Sequence, residues 1–256
     1  VGDAVFAATL HAHTVATSYS ESMLRMVAYD AMHEGRLVRG GGPALLPAGV
    51  NTLPEVRNKA CAYLLDESKA DWLLFVDSDM GFTEDSVDRL LEAADPVERP
   101  VVGALCFGLQ QVVTDGQGGY LTKPFPTIYD WGNLPGTNRW GFTIRWEYPQ
   151  NTVTRVAATG AAFLLIHRGI LDKLRAGAGD TWFTRAGLPD EPRILGEDMS
   201  FCARLGAAGI PLYVHTGVKT THLKQLWVSE DYYVETRRAA ALRQQEPPDG
   251  VEIVSG

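Results

Sequence analysis

Three short groups of residues in this sequence can carry chemistry. Asp77-Ser78-Asp79 follows directly on the apolar run WLLFV at 72–76. Two carboxylates one residue apart, where a strand opens into a loop, can reach one divalent cation, and hard oxygen donors suit Mn²⁺ or Mg²⁺. Glu197-Asp198 opens an amphipathic segment near the end of the sequence's structured part. One of these carboxylates can cap the helix while the other acts as a general base, its proton affinity tuned by burial. His222 adds an imidazole nitrogen, which Mn²⁺ accepts better than Mg²⁺. Each group also has a plainer reading: a solvated acidic turn, a helix cap and a packing histidine. His11 and His13 bracket the exit of the first strand, where a polar loop over a ligand is the better reading than a metal site.

Elements that would position these groups follow from the hydrophobic pattern. Residues 4–10 and 72–76 are short, continuously apolar runs, as strands buried on both faces require, and 101–106 is a third. Between them, residues 20–34 and 54–68 carry helical stripes, and Thr83 is placed to cap a helix reaching Ala94. Strands alternating with helices predict an α/β protein with a parallel sheet and right-handed crossovers, in which ligands bind at the carboxyl ends of the strands. Residues 107–155 crowd Gly, Pro, Thr and aromatics without a helical period and read as irregular hairpins and loops. Strand character resumes at 153–158 and 161–167, a short helix fits 169–174, and 175–195 reads as a long loop containing Trp182-Phe183. A loop of that length next to an acidic pair is expected to act as a lid, its two aromatics stacking on an acceptor. A helix at 197–208, extended pieces at 210–215 and 218–222, and a helix at 229–243 complete the order, with 244–256 as a frayed tail.

Composition narrows the function classes. The 256 residues are 45% hydrophobic and 21% charged, an ordinary globular balance that excludes disordered and disulfide-stapled classes. A formal charge of −8 without a dense Lys/Arg run disfavours passive adhesion to nucleic acid or anionic membrane. Cys61, Cys106 and Cys202 are far apart and read as buried thiols of a reducing compartment. With no apolar stretch of about 18–20 residues, no membrane span is expected, and the sequence predicts a soluble, cytoplasmic protein.

Taken in order, a first strand with a polar exit, a helix carrying Arg57 and Asn58, LLFVDSDM, ATGAAFLLIHR, GEDMSFCARLGAAG and a late histidine resemble the GT-A glycosyltransferases, most closely the family-2-like enzymes. The resemblance implies a GT-A, Rossmann-like three-layer sandwich with a mostly parallel central sheet. It also implies one domain over 1–243, with a nucleotide-sugar half to about 106 and an acceptor half beyond it. By the same resemblance, Asp77 would face the donor, Asp77 and Asp79 with His222 would hold Mn²⁺ or Mg²⁺, and Asp198 would be the base of a Glu197-Asp198 pair. Thr9, His11, His13, Arg57, Asn58, Asp77 and Ser78 would contact the nucleotide, and Gly160-Ala161 with Trp182 and Phe183 would border the acceptor. The activity implied is transfer of a sugar from a nucleoside-diphosphate sugar to a hydroxyl acceptor (saccharide, protein or modified nucleic acid), with inversion. The His11-Ala12-His13 exit departs from the usual short Pro-containing one. Competing readings are a retaining enzyme, a sugar-phosphate nucleotidyltransferase, a metal-dependent hydrolase and a carbohydrate-binding module. A nucleotidyltransferase expects a Gly-rich loop after the first strand, where this sequence reads LHAHTVATS, and Gly40-Gly41-Gly42 lacks the Gly-Lys-Ser/Thr of a P-loop.

Overall fold

A computed structural model describes residues 3–49, 52–113, 120–134, 136–187, 194–226 and 229–245. Along the chain, the elements begin with β1 (Val5–His11), α1 (Thr17–Met32), α2 (Arg36–Arg39), β2 (Ala44–Pro47), α3 (Leu53–Asp66), β3 (Trp72–Asp77) and β4 (Met80–Gly81). They continue with α4 (Ser86–Ala93), β5 (Val101–Leu105), β6 (Phe107–Val113), β7 (Tyr120–Pro126), β8 (Ile128–Asn133), β9 (Trp140–Ile144), β10 (Val153–Val156) and β11 (Ala158–Thr159). The last are β12 (Phe163–His167), α5 (Arg168–Ala178), α6 (Glu197–Ala207), β13 (Leu212–Lys219), β14 (Thr221–His222) and α7 (Glu230–Gln245). Two compact units result. One comprises residues 1–108 and 126–223; the other comprises 109–125 and 224–256 and holds α7 and most of the β6–β7 ribbon.

The first unit is built on a seven-stranded sheet in the order β10-β13-β5-β12-β3-β1-β2. Pairs β1–β2, β1–β3 and β5–β13 are parallel, whereas β12 runs antiparallel to both neighbours and β10 antiparallel to β13, so five of the seven strands share one direction. The apolar runs explain why helices cover both faces. In β3, Leu73 and Phe75 point into one core with α3, α5 and α6, while Trp72, Leu74 and Val76 point into another with α1 and α4. Successive side chains of a strand leave on opposite faces, so an unbroken apolar run needs a partner on each side. The result is three layers, helix on sheet on helix.

Several elements differ from the sequence expectation for identifiable reasons. Strand direction is not written in an apolar run: the chain between β5 and β12 passes through hairpins without a crossover helix, and β12 enters antiparallel. β2 lies in a stretch that reads as turns, with Pro43 just before it and Pro47 as its last residue, which an edge strand tolerates. Helix α4 starts at Ser86, downstream of Thr83, whose hydroxyl binds Asp85 Oδ1 (2.6 Å) and Ser86 Oγ (3.1 Å). Helix α5 runs to Ala178, beyond the expected end, and its Arg175 holds Asp66 and Asp180. The 107–155 stretch is more regular than expected: β8 pairs with β9 and β11 in a three-stranded sheet. Gly40 shows why the first unit needs a glycine there, since a Cβ at that position would lie 2.0 Å from the Val5 carbonyl oxygen.

Among the described residues, all three cysteines are free and buried, and no helix is long and apolar enough to cross a membrane.

Candidate active site

Parallel pairing of β1 with β3 sets Leu10 level with Asp77, so both strands open at the same edge of the sheet. Backbone bonds lock the two exits together: Ser78 N–H donates to the Leu10 carbonyl (3.3 Å) and Ala16 N–H to that of Ser78 (2.8 Å). Asp77 N–H donates to the Ala162 carbonyl (2.9 Å), which brings the entry of β12 to the same place.

At the centre stands Arg57 of α3, only 2% exposed. Its guanidinium lies 4.9 Å from the Phe75 ring centroid and 5.7 Å from that of Phe183, and donates to Asp77 Oδ1 (2.9 Å) and to the Ala161 carbonyl (3.2 Å). Its Nε lacks a hydrogen-bond partner and sits 4.0 Å from Glu197 Oε1. A cation removed from water needs anions close by, and Arg57 has two, one from each acidic motif. Burial raises the Asp77 carboxyl above its ordinary range, opposed by Arg57 and reinforced by Asp79.

Asp79 meets His222. β4 and β14 form a two-residue antiparallel pair, with Met80 opposite His222, and Leu223 N–H donates to the Asp79 carbonyl (2.8 Å). His222 Nε2 lies 3.0 Å from Asp79 Oδ2, and Nδ1 lies 2.8 Å from the Phe107 carbonyl oxygen. A carbonyl only accepts, so Nδ1 carries the proton that it donates; with a proton on Nε2 as well, the 3.0 Å contact is an ion-paired hydrogen bond donated to Asp79, and without that proton both atoms turn lone pairs to the same position. In the unprotonated form, two lone pairs turned to one position suit a divalent cation, with the outer hydrogen bond to Phe107 fixing the tautomer. Among the described residues, no three His, Cys, Asp or Glu side chains gather closely enough to hold a metal alone. The Asp79–His222 couple therefore fits Mn²⁺ only as part of a shell completed by other oxygen donors, such as water or a diphosphate.

Glu197 and Asp198 form the first turn of α6, whose N-cap is Gly196 without a side-chain cap bond. Glu197 was expected to cap the helix; it leans instead on Arg57. Asp198 Oδ1 accepts from Met199 N–H (2.7 Å), and a Cβ placed on Gly160 would lie 3.8 Å from its Oδ2. Burial, with Glu197 beside it, pushes the Asp198 carboxyl up to about 6. Tyr129, which the sequence did not single out, is raised to about 12 by burial and then by Asp198.

The structure thus brings Asp77, Ser78, Asp79, His222, Glu197, Asp198 and Gly160 to one region, with His11 half-buried and His13 exposed at the exit of β1. Other expected site residues lie inside the protein. Thr9, expected at the nucleotide, is fully buried here, and its hydroxyl accepts from that of Tyr19 (2.8 Å). Arg57 is equally enclosed and holds carboxylates in place of a phosphate. Asn58 uses both ends of its amide on the chain itself, donating to Thr184 Oγ1 (3.1 Å) and accepting from Phe183 N–H (2.7 Å). Ala161 belongs to the core. Trp182 and Phe183, expected as acceptor-stacking lid aromatics, are core residues: Trp182 Nε1 donates to the Leu171 carbonyl (2.8 Å), and Phe183 stacks on Phe201 at 4.4 Å. In this structure both rings are enclosed by the core and neither faces open space, and residues 188–193 of that loop lie outside the described residues. Aromatics after a Gly-rich stretch have the same sequence signature whether they cover a ligand or plug a core.

No known family profile matches this sequence, and neither does any curated protein sequence. Its fold does have solved counterparts. The crystal structure of GalNAc-T7 with UDP, GalNAc and Mn²⁺ aligns at a TM-score of 0.53 and 11% identity, covering 99% of this chain and 46% of that one. The fold is of the GT-A type. This chain spans less than half the length of GalNAc-T7. The crystal structure of A197 from STIV aligns at a TM-score of 0.49 and 15% identity, over 87% of this chain and 86% of that one.

Proposed function

We propose that this protein is a metal-dependent glycosyltransferase that moves a sugar from a nucleoside-diphosphate sugar to a hydroxyl acceptor with inversion at the anomeric carbon. The observation that carries the reading is the meeting of both acidic motifs and the late histidine at the carboxyl edge of a GT-A sheet, with Arg57 between Asp77 and Glu197. The UDP, GalNAc and Mn²⁺ in the GalNAc-T7 structure support the class of donor and ion.

In this reading, Asp79 and His222 hold Mn²⁺ or Mg²⁺, and Asp77, fixed by Arg57, faces the donor. The ion supplies charge stabilisation for the departing diphosphate. His11, His13 and Ser78 border the nucleotide at the joined exits of β1 and β3, and the Gly160 backbone leaves room beside Asp198 for the acceptor hydroxyl. Asp198 accepts the proton of that hydroxyl as it attacks from the face opposite the diphosphate. A carboxyl held near 6 remains largely ionised at neutral pH and is a stronger base than an ordinary aspartate. The developing oxocarbenium character of the sugar is matched by the carboxylates around it.

Thermal shift with UDP-GalNAc and other nucleotide sugars, with and without Mn²⁺, tests the reading. A rise in Tm that needs both components and is lost in Asp79→Asn and His222→Ala is expected, because a ligand bound only by the native state stabilises it by mass action. No Mn²⁺-dependent rise with any nucleotide sugar would overturn it.

A further inference from the structure

Strand β8 starts beside the candidate base and leads away from it. Thr127, just before β8, lies with Asp198 around Gly160, and Ile128 pairs with Thr159. In the register of β8 with β9, Tyr129 stands opposite Ile144, Trp131 opposite Phe142 and Asn133 opposite Trp140. Alternate residues of a strand share a face, so these six side chains form one stripe that begins at Asp198 and ends at the hairpin tip. Within it, Trp131 is 46% and Trp140 57% exposed, large areas for tryptophan in a folded protein. Trp131 packs edge-on against Phe142 at 5.2 Å. Beyond Asn133, Leu134 N–H donates to the Arg139 carbonyl (2.7 Å) and the Thr137 hydroxyl to that of Leu134 (2.9 Å), which ties the end of β8 to the start of β9.

A cavity of about 630 Å³ opens along this stripe, between Trp131 and Phe142 on one side and the second half of α6 on the other. None of the carboxylates or histidines discussed above lines it. Its wall is mainly apolar, from residues such as Val156, Leu205, Ile210 and Leu212, but charged groups edge it: the Asp130–Arg145 ion pair, in which Arg145 Nε donates to Asp130 Oδ2 (2.9 Å), and Arg155, which forms no ion pair among the described residues. A wholly apolar occupant would strip water from these groups and return no hydrogen bonds. A pyranose chain answers both features. Its C–H faces carry partial positive charge and lie on the negative faces of indole rings, while its hydroxyls reach planar carboxylate and guanidinium groups at the margin.

We propose that the Trp131–Phe142–Trp140 face and its cavity form a saccharide subsite that delivers a glycan acceptor to Asp198. This names the acceptor class of the transfer proposed above and rests on that reading for the reacting end alone. Preformed cavities of this size commonly hold ligands of several rings.

Calorimetric titration of the full chain, without metal or nucleotide, with cellopentaose, chitopentaose and maltopentaose tests the proposal. At least one should bind saturably, and Trp131→Ala and Trp140→Ala should each weaken it about tenfold, with Trp131→Phe restoring part of the loss. Both rings are exposed, so the variants should melt close to the parent. Absence of binding by all three sugars, or binding that neither alanine variant weakens, would overturn the proposal, as would saturable binding of dodecanol where the sugars fail. The Mn²⁺ and UDP-GalNAc thermal shift, run on the same preparation, separates the two readings: sugar binding without nucleotide binding refutes transfer and keeps the subsite, and the reverse refutes the subsite alone.

Discussion

Replacing Asp198 by Asn should make the protein more stable and less active at once. Asp198 is held near 6 in the folded chain against an ordinary 3.8, because burial, followed by the charge of Glu197, disfavours its ionised form. The folded state therefore binds this proton more tightly than the unfolded chain. Below about pH 3.8 both states are protonated and the residue costs nothing; as pH rises through 6 the cost develops fully, reaching about 3 kcal/mol at 1.36 kcal/mol per tenfold. Asparagine is similar in size and its amide oxygen can still accept from Met199 N–H, but it carries no charge to desolvate. At pH 7.5, Asp198→Asn should thus raise stability by up to about 3 kcal/mol, which for a chain of this length is roughly 6–12 °C in Tm. The gain should shrink steadily toward zero by about pH 4. If Asp198 is also the base, kcat should fall by a factor of about 10² or more while donor binding persists. Urea melts at pH 4, 5, 6 and 7.5, together with single-turnover assays on the same sample, measure both effects. A variant that is no more stable at pH 7.5, or whose gain is independent of pH, refutes the electrostatic argument, and a full-rate variant refutes the base assignment.

Arg57→Met should destabilise the chain by about 3–5 kcal/mol in urea melts, because it leaves Asp77 and Glu197 without their shared cation; loss of less than about 1 kcal/mol would show that the knot does not matter to the fold. Trp182→Ala should likewise cost about 3–5 kcal/mol as a core truncation, and an unchanged melting profile would return this residue to the surface. In Gly81→Ala, the new Cβ would lie 2.4 Å from Thr221 Oγ1, so the β4–β14 pair should loosen and the Mn²⁺-dependent rise in Tm with nucleotide sugar should shrink, an effect that adding Thr221→Gly should partly reverse.

Much of the fold was legible because β1, β3 and β5 are apolar runs that only a doubly covered sheet can bury, and because the stripes of α1, α3 and α4 carry the matching cores. What the sequence could not tell was direction and depth. Nothing in FLLIH distinguishes an antiparallel strand from a parallel one, since both bury the same residues. Depth misled more often at the site: Thr9, Arg57, Asn58, Trp182 and Phe183 are polar or aromatic residues near chemistry, but they turn inward and are satisfied by Tyr19, Asp77, Thr184, Leu171 and Phe201. A sequence lists hydrogen-bonding capacity without saying who uses it. Asp77, Asp79, His222 and Asp198 were legible because carboxylates and histidine at strand ends and a helix start stay at the edge of the sheet. Tyr129 was hidden among many aromatics, and only strand register set it beside Asp198.

The pairing of β4 with β14 has only two residues on each side and supports the contact between Asp79 and His222, 143 positions apart. So short a ladder can open while the seven-stranded sheet stays intact, because local opening is governed by the bonds and contacts of the segment concerned. Asp79 and His222 are therefore a clasp whose closed fraction is set by a small local free energy, separate from the stability of the domain. Whatever bridges them holds the clasp shut, and backbone amide exchange at Met80, Gly81 and Leu223 should slow by the same factor by which the bridging ligand favours the closed form, with exchange in β3 and β12 unchanged.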